Sequence, residues 1–398
     1  MRTGKIVLIM FAVAVFVSLL AGVDCVADTK GFDDKEIRIA QWGPQTGPAA
    51  IWGGGSRGSK IRFDMVNEQG GIHGRKIKFF IRDDKYNPAE TKIVVKELVE
   101  RYGIFAFNGG VGTAGGMAVK DYLVEKKIPW VGICCGMRDF SIPVNKYRFN
   151  DYPLFYDDAS VLTQYIVEKM GAKKIALLYQ NDGYGKEGLN GCKSRLAKYK
   201  MELLEELPLE PKEQDLSSQM LKLKSCGADF VISFVNPTHV IVALKTGAKI
   251  GYKPQWVFTT ALSSFNLLME VTGGLMEGVI AAAFVQPAES DHPLMVKYHE
   301  AQKRLAPEEK WEFYTIAGMY FADTCIEGLK RAGRDLTTEK FIAALESIKD
   351  FQTIGGKISY SSRRHQGASS YMIVRCTKDG KAELLQDWTE NDLADWKK

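Results

Sequence analysis

The stretch IFAFNGGVGTAGG at residues 104–116 is the part of the sequence that best indicates the fold. It opens with apolar residues, as expected for a strand that is buried on both faces of a sheet. The glycines that follow predict a tight turn, and residues 116–127 have the pattern of an amphipathic helix. A strand, a glycine-containing turn and a helix together form the repeating unit of α/β proteins.

The same unit recurs along the chain from residue 36 onward. Apolar runs predict strands at residues 36–41, 76–82, 104–108, 130–134, 174–180, 201–207, 230–234, 255–259 and 278–283. Between them, amphipathic stretches predict helices at residues 58–69, 88–102, 116–127, 159–170, 185–200, 216–226, 237–250 and 266–272. This alternation predicts parallel sheets with right-handed crossovers, and hence a doubly wound α/β architecture.

The last third of the chain departs from this alternation. Helices are predicted at residues 293–305, 313–332 and 337–348, followed by two strands at residues 356–360 and 370–377. Such an order lets the chain return to a first α/β unit before it ends in a second. We therefore expect two α/β lobes joined by a hinge, with residues 28–152 and 285–354 in lobe 1 and residues 153–284 and 355–398 in lobe 2.

Composition excludes several classes of protein. The 398 residues include 53 Lys or Arg and 48 Asp or Glu, which gives a formal net charge of +5. A polybasic nucleic-acid binder would need a concentrated cationic face, so nucleic acid is not an expected partner. With 45% hydrophobic residues the chain is also not a disordered protein.

Residues 1–27 have the design of a secretory signal peptide. Arg2 and Lys5 precede an apolar run of about fifteen residues, which is shorter than the ~20 residues that cross a bilayer. Cleavage after Ala27 is therefore expected in preference to a retained membrane anchor. Lipoprotein anchoring at Cys25 is disfavoured, since Asp24 stands directly before it.

Export permits disulfides, but the cysteine spacing matches neither a small disulfide-stapled domain nor a metal site. The cysteines beyond residue 27 are Cys134, Cys135, Cys192, Cys226, Cys325 and Cys376. Most are expected to be buried thiols that pack as small apolar residues. The Cys134-Cys135 pair follows a predicted strand in glycine-containing chain, so it is expected near a cleft. No metal site is predicted.

The run from Gly110 to Gly115 matches the G-x-G-x-x-G pattern of dinucleotide-binding proteins. Against that function, the run does not belong to the first strand–helix–strand unit, and the next strand ends in Cys134-Cys135 rather than in an acid for the ribose hydroxyls. A dinucleotide-using enzyme is thus the less favoured alternative, and no cofactor is expected. The same turn exposes backbone N–H groups, which suit any small anion, and Thr113 adds a hydroxyl donor.

The run from Gly54 to Gly58 matches the G-x-S-x-G pattern of serine hydrolases. That pattern needs a strand directly before the serine, and residues 48–53 are not one. Aromatic residues are more informative. Trp42, Trp52 and Tyr184 lie at or just beyond predicted strand ends, where open α/β sheets bind their ligands.

Four further segments form a specific combination: GPQTGP at residues 43–48 followed by Trp52-Gly53, NEQGGIHGRK at 67–76, DDKYNP at 83–88 and YQNDGYG at 179–185. Together they resemble the leucine/isoleucine/valine-binding family of type I periplasmic binding proteins, and the resemblance covers nearly the whole chain after the signal peptide. It implies two lobes with a three-strand hinge, and capture of a small molecule for an inner-membrane ABC permease. It also implies a periplasmic protein that is not an enzyme. A monomer is expected.

Carried over position by position, the resemblance implies the following ligand-binding residues: Trp52, Val111, Gly112, Thr113, Cys134, Cys135, Gly136, Tyr184, Asn236, Thr260 and Tyr314. Trp52 matches an aromatic residue that covers the ligand, and Val111 to Thr113 match the loop that meets an amino acid carboxylate. Gly136 replaces a family threonine that helps to hold the same carboxylate. Asn236 occupies a position that is aromatic in the family.

The main departure from the family lies at Thr260, where amino-acid-binding relatives have an acidic residue that meets the ligand ammonium. Residues 258–262 contain no acid. A buried ammonium without a charged partner costs several kcal/mol in a dry site. The expected ligand is therefore a small carboxylate, with an aromatic or aliphatic acid as a competitor to an amino acid. A ligand-sensing subunit of a signalling complex is an alternative function.

Overall fold

The computed structural model of the protein describes residues 31–47, 49–394 and 396. The predicted signal peptide and Cys25 lie outside this part of the chain. The strands are β1 (Glu36–Trp42), β2 (Lys76–Arg82), β3 (Ala106–Asn108), β4 (Trp130–Val131), β5 (Arg148–Phe149), β6 (Ile175–Gln180), β7 (Glu205–Leu209), β8 (Phe230–Phe234), β9 (Gln255–Phe258), β10 (Ile280–Ala283), β11 (Phe351–Thr353), β12 (Gly356–Ile358), β13 (Ser370–Cys376) and β14 (Ala382–Glu390).

The helices alternate with the strands over most of the chain. They are α1 (Gly53–Glu68), α2 (Pro88–Tyr102), α3 (Thr113–Glu125), α4 (Phe155–Met170), α5 (Gly183–Lys198), α6 (Ser217–Cys226), α7 (Pro237–Lys249), α8 (Phe265–Thr272), α9 (Pro293–Leu305), α10 (Phe313–Ala332) and α11 (Thr338–Glu346). Single 3₁₀ turns occur at Ala50–Trp52, Arg138–Phe140 and Thr260–Leu262. Among the described residues, we find no helix with the length and hydropathy of a membrane span.

Two sheets organise these elements into two lobes. The sheet of lobe 1 has five parallel strands in the order β2-β1-β3-β4-β5. The sheet of lobe 2 has seven strands in the order β14-β13-β10-β9-β8-β6-β7. The predicted α/β architecture with parallel sheets is confirmed for β1 to β10. By contrast, β13 and β14 are antiparallel, because the tight turn between Thr377 and Lys381 joins them directly.

The chain connects the two sheets in a way that agrees with a hinge. It enters the second sheet after β5, returns after β10 to helices α9 and α10, which pack on α1, and reaches the second sheet again at β13. The lobe limits stated above remain a prediction. This path brings the carboxyl ends of the strands of both sheets to one cleft, where open α/β sheets bind ligands.

Local signals determine several helix ends. Helix α2 begins at Pro88, where the Asn87 side chain accepts a hydrogen bond from the Ala89 N–H, and it ends before Gly103 with φ at +59°. The predicted strand at residues 130–134 is in fact only Trp130–Val131. The strand ends where Gly132 adopts φ +58° and packs so closely that a Cβ atom there would collide with the Phe321 carbonyl oxygen. The strands β5, β11 and β14 were not predicted, because they are very short or partly exposed.

Candidate functional site

A cavity of about 50 Å³ lies between the two lobes, among residues that follow β1 to β6, β8 and β9. Of the residues that sequence comparison suggested, the structure brings these to its wall: Trp52, Val111, Gly112, Thr113, Cys134, Cys135, Tyr184 and Asn236. The remaining lining residues are Ala49, Tyr86, Tyr152, Phe155, Val235, Pro237 and Ala261. None of these lining residues is Asp, Glu, Lys, Arg or His.

The glycine-rich turn after β3 forms part of the lobe 1 side. Helix α3 begins at Thr113, with Gly112 as its N-cap and no side-chain cap. Gly110 and Gly112 have φ of +85° and +101°, a region that favours glycine. The Val111 N–H donates to the Trp42 carbonyl at 3.4 Å and is thus used within the lobe. The first turn of α3 therefore presents the positive end of a helix to the cavity, which suits an anion.

The next loop contributes the two neighbouring thiols. Thr113 Oγ1 lies 3.1 Å from Cys135 Sγ, so the two groups share a hydrogen bond. Burial raises the pKa of Cys135 to about 12 and that of Cys134 well above its usual value. Both groups are therefore neutral thiols at physiological pH. The cysteines among the described residues are free, and all but the half-buried Cys226 are buried.

Gly136 does not line the cavity. Its carbonyl accepts a hydrogen bond from the Phe155 N–H at 2.9 Å, and a Cβ atom there would meet the Pro153 carbonyl oxygen at 2.4 Å. A side chain at this position would collide with backbone. The structure thus gives the position no room for a threonine hydroxyl.

Trp52 contributes an aromatic ring to the cavity wall. Its ring makes edge contacts with Tyr314 and Phe313, at centroid distances of 4.7 and 5.8 Å. Tyr314 is fully buried behind Trp52, and its hydroxyl donates to the Ala261 carbonyl at 3.2 Å. Tyr314 therefore supports the cavity wall without being part of it.

Tyr184 and Asn236 face the cavity from lobe 2. Tyr184 lies in the first turn of α5, where the Asp182 side chain accepts from the Tyr184 N–H. Its hydroxyl lies 2.9 Å from Thr259 Oγ1. Asn236 caps α7 by accepting from the His239 N–H. Both polar groups are thus engaged within their own lobe.

Thr260 is buried behind the lining residue Ala261. Its N–H and its hydroxyl donate to Asp158 Oδ2 at 3.0 and 2.8 Å, and Oγ1 also lies 2.9 Å from the Tyr152 hydroxyl. Burial raises the pKa of Asp158 to about 7, although the hydrogen bonds from Thr260 lower it. An acid therefore does stand behind this strand end, supplied by α4 rather than by the strand itself.

Three aromatic lining residues are not among the ligand-binding residues expected from the sequence. Tyr86, Tyr152 and Phe155 are aromatic residues that follow β2 and β5, so the rule about strand ends could have found them. The same rule pointed wrongly to Trp42. That ring is fully buried and packs against Phe107 and Trp130 at centroid distances of 5.3 and 4.9 Å.

The two enzyme-like motifs lie in different kinds of local structure. Ser56 of the G-x-S-x-G match lies inside α1 and is buried, and its hydroxyl donates to the Gly53 carbonyl at 3.0 Å. It is therefore not on the strained turn of a nucleophile elbow. The G-x-G-x-x-G match does connect β3 to α3 as predicted. No group of three or more potential metal ligands occurs among the described residues.

Comparison with known proteins finds a matching family model and similar proteins that span most of the chain. A family model described as periplasmic binding protein matches residues 36–381. The Leu/Ile/Val-binding protein homolog 3 of Brucella melitensis is 27% identical over 364 residues, which cover 88% of this chain and 94% of that protein.

Two solved structures have a similar fold. A branched-chain amino acid ABC transporter protein from Thermus thermophilus with bound valine has a TM-score of 0.81 at 20% identity, covering 90% of this chain and 98% of that one. A fatty acid ABC transporter substrate-binding protein from Thermomonospora curvata also has a TM-score of 0.81, at 22% identity, covering 93% and 96% of the two chains.

Proposed function

The chain belongs to the leucine/isoleucine/valine-binding family of type I periplasmic binding proteins, and from this premise we propose that it captures a small carboxylate with an aromatic or aliphatic body and no ammonium group. Members of this family bind solutes and are not enzymes, so the dinucleotide-enzyme alternative is excluded. The observation that carries the proposal is the composition of the cavity wall. One lobe offers groups that bind an anion, and no lining residue carries a formal charge.

The carboxylate is expected at the first turn of α3. Backbone N–H groups at the start of a helix and the Thr113 hydroxyl can donate to it without any cationic side chain. The rings of Trp52 and Tyr184 would contact the apolar body from the two lobes. Because the ligand is anionic and its site is built from dipoles, binding needs no bulk positive charge on the protein.

An ammonium group has no suitable partner in this cavity. The acid behind Thr260, Asp158, does not line the cavity, and its Oδ2 accepts two hydrogen bonds from Thr260. Desolvation of an ammonium without a charge partner would cost several kcal/mol. This argues against an α-amino acid.

Contacts across the cleft support a hinge mechanism. Ser264 of lobe 2 donates to Glu312 Oε2 of lobe 1 at 2.8 Å, in addition to the bond between Tyr314 and Ala261 described above. In this conformation the cavity measures about 50 Å³, and separation of the lobes would widen it for ligand entry. A ligand that contacts both lobes would stabilise the closed form.

We propose the remaining features on the basis of the family. The mature protein would be periplasmic after removal of residues 1–27, and it would deliver its ligand to an inner-membrane ABC permease. A branched-chain amino acid is the second candidate ligand, supported by the names of the relatives that match over most of the chain.

A thermal-shift panel of benzoate-like acids, aliphatic acids and branched amino acids tests the proposal. A ligand that binds only the folded protein raises its melting temperature. We expect a rise of several degrees with at least one simple carboxylate and none with leucine, isoleucine or valine. A response to the branched amino acids alone would refute the proposed ligand class and favour the second candidate.

A further inference from the structure

We propose that the phenolic hydroxyl of Tyr86 is a further hydrogen-bond donor to the ligand carboxylate, in the place of the threonine that Gly136 replaces. This inference rests on the proposed function, because it assumes a carboxylate at the first turn of α3. It assigns a role to a side chain that the sequence placed only within the DDKYNP segment at residues 83–88.

Tyr86 lies directly over the turn that is expected to hold the anion. It lines the cavity together with Gly112 and Thr113. A Cβ atom at Gly112 would lie only 2.8 Å from Cε2 of the Tyr86 ring. The ring therefore covers the backbone at the N-terminus of α3, which is where a bound carboxylate would lie.

The hydrogen bonding of Tyr86 leaves its proton available. Its oxygen accepts from Gln180 Nε2 of lobe 2 at 3.4 Å, and this is its one hydrogen bond within the described residues. Burial raises the pKa of the Tyr86 hydroxyl, so it keeps its proton. A protonated phenol that accepts one bond can still donate another. Its proton is thus free for a carboxylate in the cavity.

The backbone holds Tyr86 in an unusual conformation. Tyr86 and the preceding Lys85 have φ of +56° and +53°, a region that is unfavourable for residues other than glycine. Asp84 Oδ1 accepts from the Tyr86 N–H at 3.1 Å, and Asp84 Oδ2 accepts from the Thr91 hydroxyl at 2.8 Å. The loop is therefore fixed by α2, and backbone strain of this kind is concentrated at functional sites.

The fold also explains why the donor would come from this loop. At Gly136 any side chain would meet the Pro153 carbonyl, so the loop after β4 cannot supply a hydroxyl. The loop after β2 reaches the same turn from the opposite side. In the strand order β2-β1-β3-β4, the loops after β2 and β4 come from the two sides of the turn after β3, so either loop could complete an anion site there.

The test is Tyr86→Phe, measured by calorimetry with the best carboxylate of the panel and with its primary amide, which is neutral. Hydrogen bonds to charged groups are stronger than those to neutral groups. We expect the carboxylate affinity to fall roughly 10- to 100-fold and the amide affinity to fall less, by roughly 2- to 10-fold. Equal losses for the two ligands, or no loss for either, would overturn the role of Tyr86.

Two controls separate this inference from other failures. The variant keeps the ring, so its melting temperature without ligand should match that of the unsubstituted protein. Tyr102→Phe, on a ring that packs against Phe80 away from the cavity, should leave both affinities unchanged. If no carboxylate bound the unsubstituted protein, the proposed function itself would fall, together with the inference. If a carboxylate bound and Tyr86→Phe had no effect, only the inference would fall.

Discussion

The two sides of the cleft differ in the polar groups that they present to the cavity. On the lobe 1 side, Gly112 and Thr113 bring an uncapped helix start to the cavity. On the lobe 2 side, the hydroxyls of Tyr184 and Thr259 bond each other, and Thr260 bonds Asp158. The lobe 1 side thus presents a helix start to the cavity, whereas on the lobe 2 side the hydroxyls of Tyr184, Thr259 and Thr260 are bonded within the lobe.

This difference indicates how affinity and selectivity divide between the lobes. Backbone dipoles on the lobe 1 side would supply most of the binding free energy for an anion. The lobe 2 side would select against ligands with a second charge, since none of its residues at the cavity wall is charged. Variants on the lobe 1 side should therefore weaken binding more than variants on the lobe 2 side.

The largest effect is expected for Gly112→Asp. The aspartate would add a negative charge at the anion site, and its Cβ would lie 2.8 Å from the Tyr86 ring at φ +101°. Calorimetry should show a loss of carboxylate affinity of more than about 100-fold. Gly70→Asp is a matched control, because Gly70 has φ +98° with nothing within 4 Å of a Cβ atom. Equal affinity of the two variants would contradict the anion site.

A smaller loss is expected for Trp52→Ala on the same side of the cleft. Removal of an aromatic ring that contacts the ligand should weaken binding by about 1–3 kcal/mol, which calorimetry can measure. Trp388→Ala, on the partly exposed strand β14, serves as the control. Unchanged affinity in Trp52→Ala would reduce the role of Trp52 to packing against Tyr314.

On the lobe 2 side, Asp158→Asn should strengthen carboxylate binding only a few-fold, and mainly at pH 8. The pKa of Asp158 is about 7 in the folded protein against 3.8 for the ordinary group. Between these values the folded protein binds more protons than the unfolded chain, so stability falls as the pH rises through this window.

Asp158→Asn has no carboxyl group to titrate, so it should not show this fall in stability with rising pH. Relative to the unsubstituted protein, Asp158→Asn should gain about 1–3 kcal/mol of unfolding free energy between pH 5 and pH 8. Denaturant unfolding at both pH values measures the gain. Asp335→Asn, at an exposed carboxylate, is the control and should show no comparable change. A stability difference that does not vary with pH would show that Asp158 does not titrate in this range.

The smallest change in affinity is expected for Thr260→Val. Thr260 lies behind Ala261 and does not line the cavity, so ligand affinity should stay within about twofold. Stability should fall by about 1–3 kcal/mol, because Asp158 loses the hydroxyl donor. Parallel calorimetry and thermal unfolding would separate the two effects. A large change in ligand preference would show that Thr260 contacts the ligand, which would contradict its position behind Ala261.

The fold was largely predictable because its signals are local. Helix α2 is predicted with its observed ends, since Asn87, Pro88 and Gly103 mark them in the sequence. The end of the short strand β4 was not predictable, because it depends on how Gly132 packs against the distant carbonyl of Phe321. A contact of that kind leaves no trace in hydrophobic periodicity.

The residues of the candidate site were likewise predictable only in part. Thr113 and Tyr184 follow strands in the sequence, and the structure does bring both to the cavity. Gly136, Thr260 and Tyr314 align with site positions of the family but lie behind the wall. Their displacement depends on side-chain packing and on hydrogen bonds such as that of Thr260 with Asp158, which no single segment specifies.

By itself, the sequence determined the order of strands and helices and the glycine turn that can bind an anion. Both depend on interactions between near neighbours in the chain, which residue spacing records. Only the tertiary structure decided which groups meet in the cleft, such as Tyr86 with Gln180 and Thr260 with Asp158. Both pairs lie far apart in sequence: Tyr86 meets Gln180 only when the two lobes pack, and Thr260 meets Asp158 only when lobe 2 folds. The chemistry of the site therefore becomes visible only after folding.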